Sequence, residues 1–285
     1  FDLTLDGSGH GVTISGGGAV RVFYVSTNTG LTMINLTIAN GLGTNGGGGV
    51  YNAGGALSAT NCTFLGNGAS ASPSIFRGEP GFGGAIYNAG VFNASGCTFS
   101  QNWATGGHGS AGLYGNEHWS PTSGGPGGSA AGGALCNAGV MVIDRSTFAR
   151  NSATGGQGGG GGDGTQVYAL WAASQIGGSG GNGGDGNGGA IFNSGSASVV
   201  NSTVAENVGI GGSGGVGGIG GTLYLPGHAN DFPCGNGGNG GSGFGAICDV
   251  SGLLRLTNCT IAANSANSGN GGRGGSGPGS CQNGT

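Results

Sequence analysis

The sequence contains no lysine. Charged residues make up 6% of it, against about 25% in an ordinary soluble domain. Six arginines and ten acids leave a net charge of −4, and none of them cluster. With no basic run to neutralise phosphates, nucleic acid and anionic membrane surfaces are excluded as partners. No apolar stretch approaches the roughly 18 residues a spanning helix needs, so no membrane insertion is expected. The opening FDLTLDG lacks the basic start, apolar centre and cleavage site of a secretory leader, so a secreted protein would be in its mature form or a fragment. The seven cysteines are an odd count. No paired C-x-x-C is present, which argues against zinc and fits an oxidising compartment.

What is abundant is glycine, 79 of 285 residues, alongside 35% hydrophobic residues. The apolar residues fall in copies of one short unit, at 47–69, 83–105, 132–154, 188–210 and 243–267, with shorter relatives at 1–16 and 19–40. Side chains two apart on a strand share a face, and on that period the copies align into columns. Leu31, Leu57, Phe92, Met141, Ala197 and Leu254 form one; Met33, Ala59, Ala94, Ile143, Val199 and Leu256 a second. A small column holds Leu36, Cys62, Cys97, Ser146, Ser202 and Cys259, and a large one Ile38, Phe64, Phe99, Phe148, Val204 and Ile261. Val50, Ile86, Leu135, Ile191 and Ile247 make a fifth on a separate short strand. A helix has the wrong period for this, and Gly-Gly at the copy starts would weaken one. The expected fold is therefore all-β: a parallel β-helix of about seven rungs, one solenoid domain over 1–285.

Polar columns recur in the same frame. Asn67, Asn102, Asn151, Asn207 and Asn264 close the copies, and Asn52, Asn88, Asn137, Asn193 and Asp249 form a second ladder. Stacked amides can bond along the stack, which gives both ladders a structural role. Thr13, Thr37, Thr63, Thr98, Thr147, Thr203 and Thr260 form an outward ladder.

The GGAI at 83–86 and 188–191, the GGAL at 132–135, and FLGN, FSQN and FARN at 64–67, 99–102 and 148–151 resemble the GGA-[ILV] and F-x-x-N repeats of polymorphic outer-membrane proteins. The resemblance covers the copies, about half the chain. It weakens where Val204 and Ile261 replace phenylalanine and where GFGAI opens the fifth copy. It implies a right-handed parallel β-helix at a cell surface, often adhesive, and brings no catalytic site.

Between copies lie inserts at 70–82, 106–131, 155–187 and 211–242, and a tail at 268–285, where glycine recurs in threes, as in GGSGGNGGDGNGG at 177–189. A three-residue period fits extended polyproline-type helices, and glycine lets several pack closely and bond backbone to backbone. The inserts are expected to form a polyglycine II-type side layer covering the outward column Tyr51, Tyr87, Cys136, Phe192 and Cys248. Cys234 and Cys281 can cross-link that layer, or one of them can reach Cys248; Cys62 and Cys97 stack on adjacent rungs as a second candidate pair or as buried thiols.

Enzymatic signals are weak. GSGHGVTI at 7–14 resembles the G-H-G element of polygalacturonases, but only Asp2 and Asp6 precede His10, and there is no Asp-Asp pair or R-I-K. Glycosidases need two carboxylates facing one bond. No catalytic, cofactor or metal residue is assigned, and no enzyme activity is expected. The segment GNEHWS at 115–120 is the most varied in chemistry and is a candidate contact point. Asn35, Asn61, Asn201 and Asn258 open N-x-[ST] sequons, read as glycosylation sites or as a by-product of the repeat. An ice-binding face would need a more regular column than Asn35, Asn61, Gly96, Arg145, Asn201 and Asn258 beside the threonines. The expectation is an extracellular structural protein whose uncapped ends meet head to tail in a filament, with a monomeric, glycan-binding adhesin as the alternative.

Overall fold

The computed structural model describes residues 2–71, 76–169, 171–277 and 281–285; positions 72–75 and 278–280, within the insert 70–82 and the tail, lie outside the described residues. Among the described residues there are only strands, turns and extended segments, with no helix. Successive copies of the repeat add their strands to a set of parallel sheets. The first sheet has seven strands, from Asp2–Asp6 through Gly30–Ile34 and Ala56–Thr60 to Leu253–Thr257. The second also has seven, from Val12–Ser15 to Thr260–Ala262. A third sheet of six runs from Leu42–Thr44 to Ser265–Asn267, a fourth of four from Gly81–Phe82 to Gly243–Phe244, and a fifth of six from Phe23–Val25 to Ile247–Asp249.

The register places like on like. Leu31 pairs with Leu57, Leu57 with Phe92, and Phe92 with Met141. Phe64, Phe99 and Phe148 stack with ring centroids 4.8 and 4.5 Å apart and planes within 3° of parallel. These columns form one continuous buried core enclosed by the first, second and fifth sheets. The third sheet contributes a smaller alanine cluster, Ala69, Ala104 and Ala153 with Ala130. Alanine or glycine there lets the fourth sheet approach closely.

Corners explain the polar columns. Asn35, Asn61, Gly96, Arg145, Asn201 and Asn258 all have φ between 47° and 65°, as the turn from first to second sheet requires. Asparagine and glycine tolerate that left-handed conformation best, which accounts for the asparagine that opens each sequon. The two asparagine ladders are internal. Asn67, Asn102, Asn151 and Asn207 are fully buried. Each side-chain amide donates to the next rung's Oδ1 at 2.8–3.1 Å, and that oxygen also accepts the preceding Asn backbone N–H at 2.9 Å. The second ladder, Asn52, Asn88, Asn137, Asn193 and Asp249, runs the same way at 2.7–2.8 Å.

The inserts leave the third sheet as outgoing glycine arms and re-enter the fourth as returning arms. Their final residues, Ala130–Ala131 and Gly186–Asn187, are strands of the fourth sheet rather than insert. Within an arm, residues play three roles in rotation. Gly155, Gly158 and Gly161 donate to Ile210, Ser213 and Val216 of the next outgoing arm. Gly156, Gly159 and Gly162 donate to Gly128, Gly125 and Thr122 of a returning arm. The third residue of each triplet projects outward, and its own N–H is often taken by a third-position side chain of the neighbouring arm. Gln157 N bonds His108 Nδ1 at 3.1 Å, Ile219 N bonds Asp163 Oδ1 at 2.8 Å, and Asn239 N bonds Asn182 Oδ1 at 2.9 Å. Polar third-position residues thus complete a backbone lattice that has little side-chain packing of its own.

Insert ends reach the outward column Tyr51, Tyr87, Cys136, Phe192 and Cys248: Phe82 lies 6.2 Å from Tyr87, Cys136 is buried, and burial, with Asp249 and Asp185, raises the Cys248 thiol. The tyrosines also stack on one another, Tyr24 on Tyr51 at 5.5 Å and Tyr51 on Tyr87 at 4.7 Å, with the Arg21 guanidinium 4.8 Å above Tyr51. The lattice itself makes a sharp prediction. A Cβ on Gly159 would overlap the Ser110 carbonyl oxygen, whereas one on Gly160 would meet only Val216, at ordinary contact distances of 3.5 and 3.8 Å. Gly159→Ala is expected to push neighbouring arms apart and strip hydrogen-exchange protection from the amides of 156–162, while Gly160→Ala leaves it intact; equal protection in both would contradict the lattice.

Candidate functional site: the open ends and the insert tips

The two ends of the stack are where the core reaches solvent. At one, Leu253–Thr257 and Thr260–Ala262 are edge strands, each paired on one side only. Leu253 is 70% exposed, Leu256 40% and Ile261 49%. Leu254, Leu256, Ile261 and Ile247 line an open cavity of about 470 Å³. At the other end Asp2–Asp6 and Val12–Ser15 are the edges, with Leu3 42% exposed and Leu5 and Ile14 partly buried. Here Leu3, Phe23, Val25 and Leu31 line a cavity of about 210 Å³. Unpaired edges with apolar faces are the portion of a sheet most prone to pair with another chain.

The ends correspond column by column. Following the register through the first sheet, Leu3 and Leu254 belong to one inward column and Leu5 and Leu256 to the next; Ile14 and Ile261 share a column of the second. On the outer face, Arg255 stands in the Thr4 column, between the columns of Asp2 and Asp6. Arg255 belongs to none of the ion pairs among the described residues, which are Arg77–Glu79, Arg145–Asp144 and Arg150–Glu206.

The other sequence candidates are dispersed. Thr63, Thr98, Thr147, Thr203 and Thr260 face outward in register, half-buried until the exposed last rung. Beside them, at the corner, Arg145 pairs with Asp144 at 2.9 Å and breaks the face with charge. The Asn201 amide donates to Asp144 and that of Asn258 to Asn201; Asn35 donates to Ser8, and Asn61 is exposed. Cys234 and Cys281 form a disulfide, pinning the tail to the third long insert. Cys248 is a free thiol, so the alternative bridge to it is not made. Cys62 and Cys97 are likewise free and buried. The Cys62 sulfur and burial hold the Cys97 thiol far above its usual range, and burial pushes Cys136 up to about 12. Neither Cys97 nor Cys136 is a ready nucleophile. His10 sits in an exposed turn, and among the described residues no three His, Cys, Asp or Glu are grouped to hold a metal.

Sequence reasoning missed the construction of the insert tips. Gln175 is fully buried and ties three of them together. Its Nε2 donates to the Asn116 carbonyl at 2.8 Å, its Oε1 accepts from Thr165 N at 3.1 Å, and its own carbonyl accepts from Gly221 N at 2.8 Å. Around it Gln166–Val167, Thr222–Leu225 and His228–Asp231 make a three-stranded sheet. The Asn116 side chain turns the 115–120 segment by accepting from His118 N and Trp119 N. No family model matches the chain, and neither a curated protein nor a solved structure matches it.

Proposed function

We propose that the sheets are the faces of one right-handed parallel β-helix, flanked by a polyglycine II-type layer, and that the molecule is the subunit of an extracellular filament built head to tail. The correspondence of the two ends carries the reading. Setting Asp2–Asp6 of one copy on Leu253–Thr257 of another continues the parallel ladder. It places Leu3 on Leu254 and Leu5 on Leu256, and Ile14 meets Ile261 in the adjoining sheet. Each leucine or isoleucine so buried contributes about 1.5–3 kcal/mol. Arg255 would reach Asp2 and Asp6 diagonally across the joint, within the range of long side chains. A contact between unlike ends does not close on itself, so it makes a filament.

The low charge and absence of lysine suit an inert, protease-resistant material outside the cell. Kinship with polymorphic outer-membrane repeats belongs to this proposal and rests on the GGA-[ILV] and F-x-x-N copies. Electron microscopy of the untagged protein tests it. Filaments with an axial repeat of about 30–40 Å, seven rungs at the strand spacing plus the joint, are expected. Discrete particles at high concentration would overturn it and leave the second reading, a monomeric adhesin, which the exposed rings at the insert tips favour.

A further inference from the structure

Exposed apolar side chains occur on the outer face of the first sheet, at Val91, Val140 and Val142, but the large exposed rings include a group at the insert tips. Tyr114, Trp119, Tyr168 and Trp171 are 63–72% exposed. Two of these rings are stacked: Trp171 on His118 at 5.6 Å, and Tyr168 on Tyr224 at 5.6 Å and 20°. Exposed patches of this kind on an otherwise bland surface mark contact sites.

The three-stranded tip sheet gives the chemistry of the partner. Its strands pair Gln166 with Thr222 and Thr222 with Asp231, and Tyr224 with Ala229. Residues directly opposite, and those two apart, share a face. One face therefore carries two parallel rows. The first reads Tyr168, Tyr224, Ala229; the second Gln166, Thr222, Asp231. Tyr168 stacks on the Tyr224 ring, and on the next strand the small Ala229, opposite Tyr224, is exposed. Two residues on, Asp231 accepts the Thr222 hydroxyl through Oδ1 at 2.7 Å, which leaves its second oxygen for another donor.

We propose that this face binds a neutral polysaccharide, with one pyranose ring seated over Ala229. The sugar's C–H face would lie on Tyr224, and its hydroxyls would reach Asp231. A pyranose is apolar on its faces and rich in hydroxyls at its rim, which is what a row of rings beside a row of amide, hydroxyl and carboxylate groups complements. The tips at 113–121, 165–176 and 222–233 contain no arginine, the chain has no lysine, and Glu117 and Asp231 are acidic. Anionic glycans and phosphate-bearing surfaces are thus disfavoured. The site uses none of the strands at the two ends of the stack, so it stands whether or not subunits stack.

Affinity electrophoresis of the intact protein in gels containing amylose, mannan, β-1,3-glucan or soluble β-1,4-glucan tests the inference. Retardation by at least one of them is expected. Tyr224→Ala and Ala229→Phe, the second filling the seat without removing any group, should each weaken it tenfold or more. Val216→Ser, on the outer face of the lattice, should not. If none of the four polymers retards the protein, or if retardation survives both substitutions, the inference is wrong. Co-sedimentation with phosphatidylcholine vesicles that is lost in Tyr224→Ala would also overturn it, by assigning the rings to a lipid surface.

Discussion

Replacing Asn102 by leucine is expected to remove about 3–6 kcal/mol of stability, as a fall in the urea midpoint followed by circular dichroism. The side chain accepts from the Asn67 backbone N–H and side-chain amide, and donates to Asn151 Oδ1 and the Phe64 carbonyl. Leucine is close in size but offers none of these, and Asn102 is fully buried, so no water replaces them. Each buried polar group left without a partner costs about 1–3 kcal/mol. Most domains have about 5–15 kcal/mol in total, so the variant would sit near the threshold of folding. Ser100→Ala, an outward position on the neighbouring strand, should change stability by less than about 0.5 kcal/mol. A loss below about 1 kcal/mol in the leucine variant would mean that the ladder orders the coils without holding them together.

Leu256→Arg is the corresponding test of the ends. Leu256 is partly exposed on the final rung, so the isolated subunit should lose little. In the proposed joint the residue meets Leu5, and the substitution removes about 1.5–3 kcal/mol of burial while placing a charge where water is excluded. The critical concentration for assembly, read by pelleting, should rise by about a hundredfold or more, since each 1.4 kcal/mol is a factor of ten. Arg255→Glu should raise it less, in a salt-dependent way, because it sets like charges beside Asp2 and Asp6. Reversing both acids to arginine in that background should restore assembly. Unchanged assembly in Leu256→Arg would remove this end from the contact.

The repeat made the stacking order legible, because columns such as Phe64, Phe99 and Phe148 need only a two-residue period and a copy length. The strands Gly68–Ser70, Trp103–Thr105 and Ser152–Thr154 were not, since their single inward residue is alanine and carries no hydrophobic contrast. The direction of the inserts was also hidden. A glycine triplet fixes the local period but not the neighbour it bonds to, and that neighbour lies 55 residues away for Gly155 and Ile210. The tip sheet did leave a signal. In TLYLPGHAND the alternating strand is followed by Pro226-Gly227, and Gly227 takes φ 78° as the third residue of the turn. Proline followed by glycine is a turn signature between strands. Gln175 left none, since nothing local distinguishes a buried glutamine from an exposed one.

The rotation of roles along the glycine arms has a consequence for how such a gene can change. Removing one residue from an arm would turn an outward side chain into the place of Gly159, against a carbonyl oxygen. Removing three preserves the phase. Because outgoing and returning arms bond one another, as Gly181 does Gly159 and Gly184 does Gly156, a matched gain or loss must fall in both. Insert length is thus quantised, in steps of about six residues given the threefold period of each arm, and substitutions within the arms are permitted at one position in three. Among descendants of this chain, length polymorphism should be common at the tips and in whole triplet pairs, and frame-preserving deletions of other sizes within the arms should be purged.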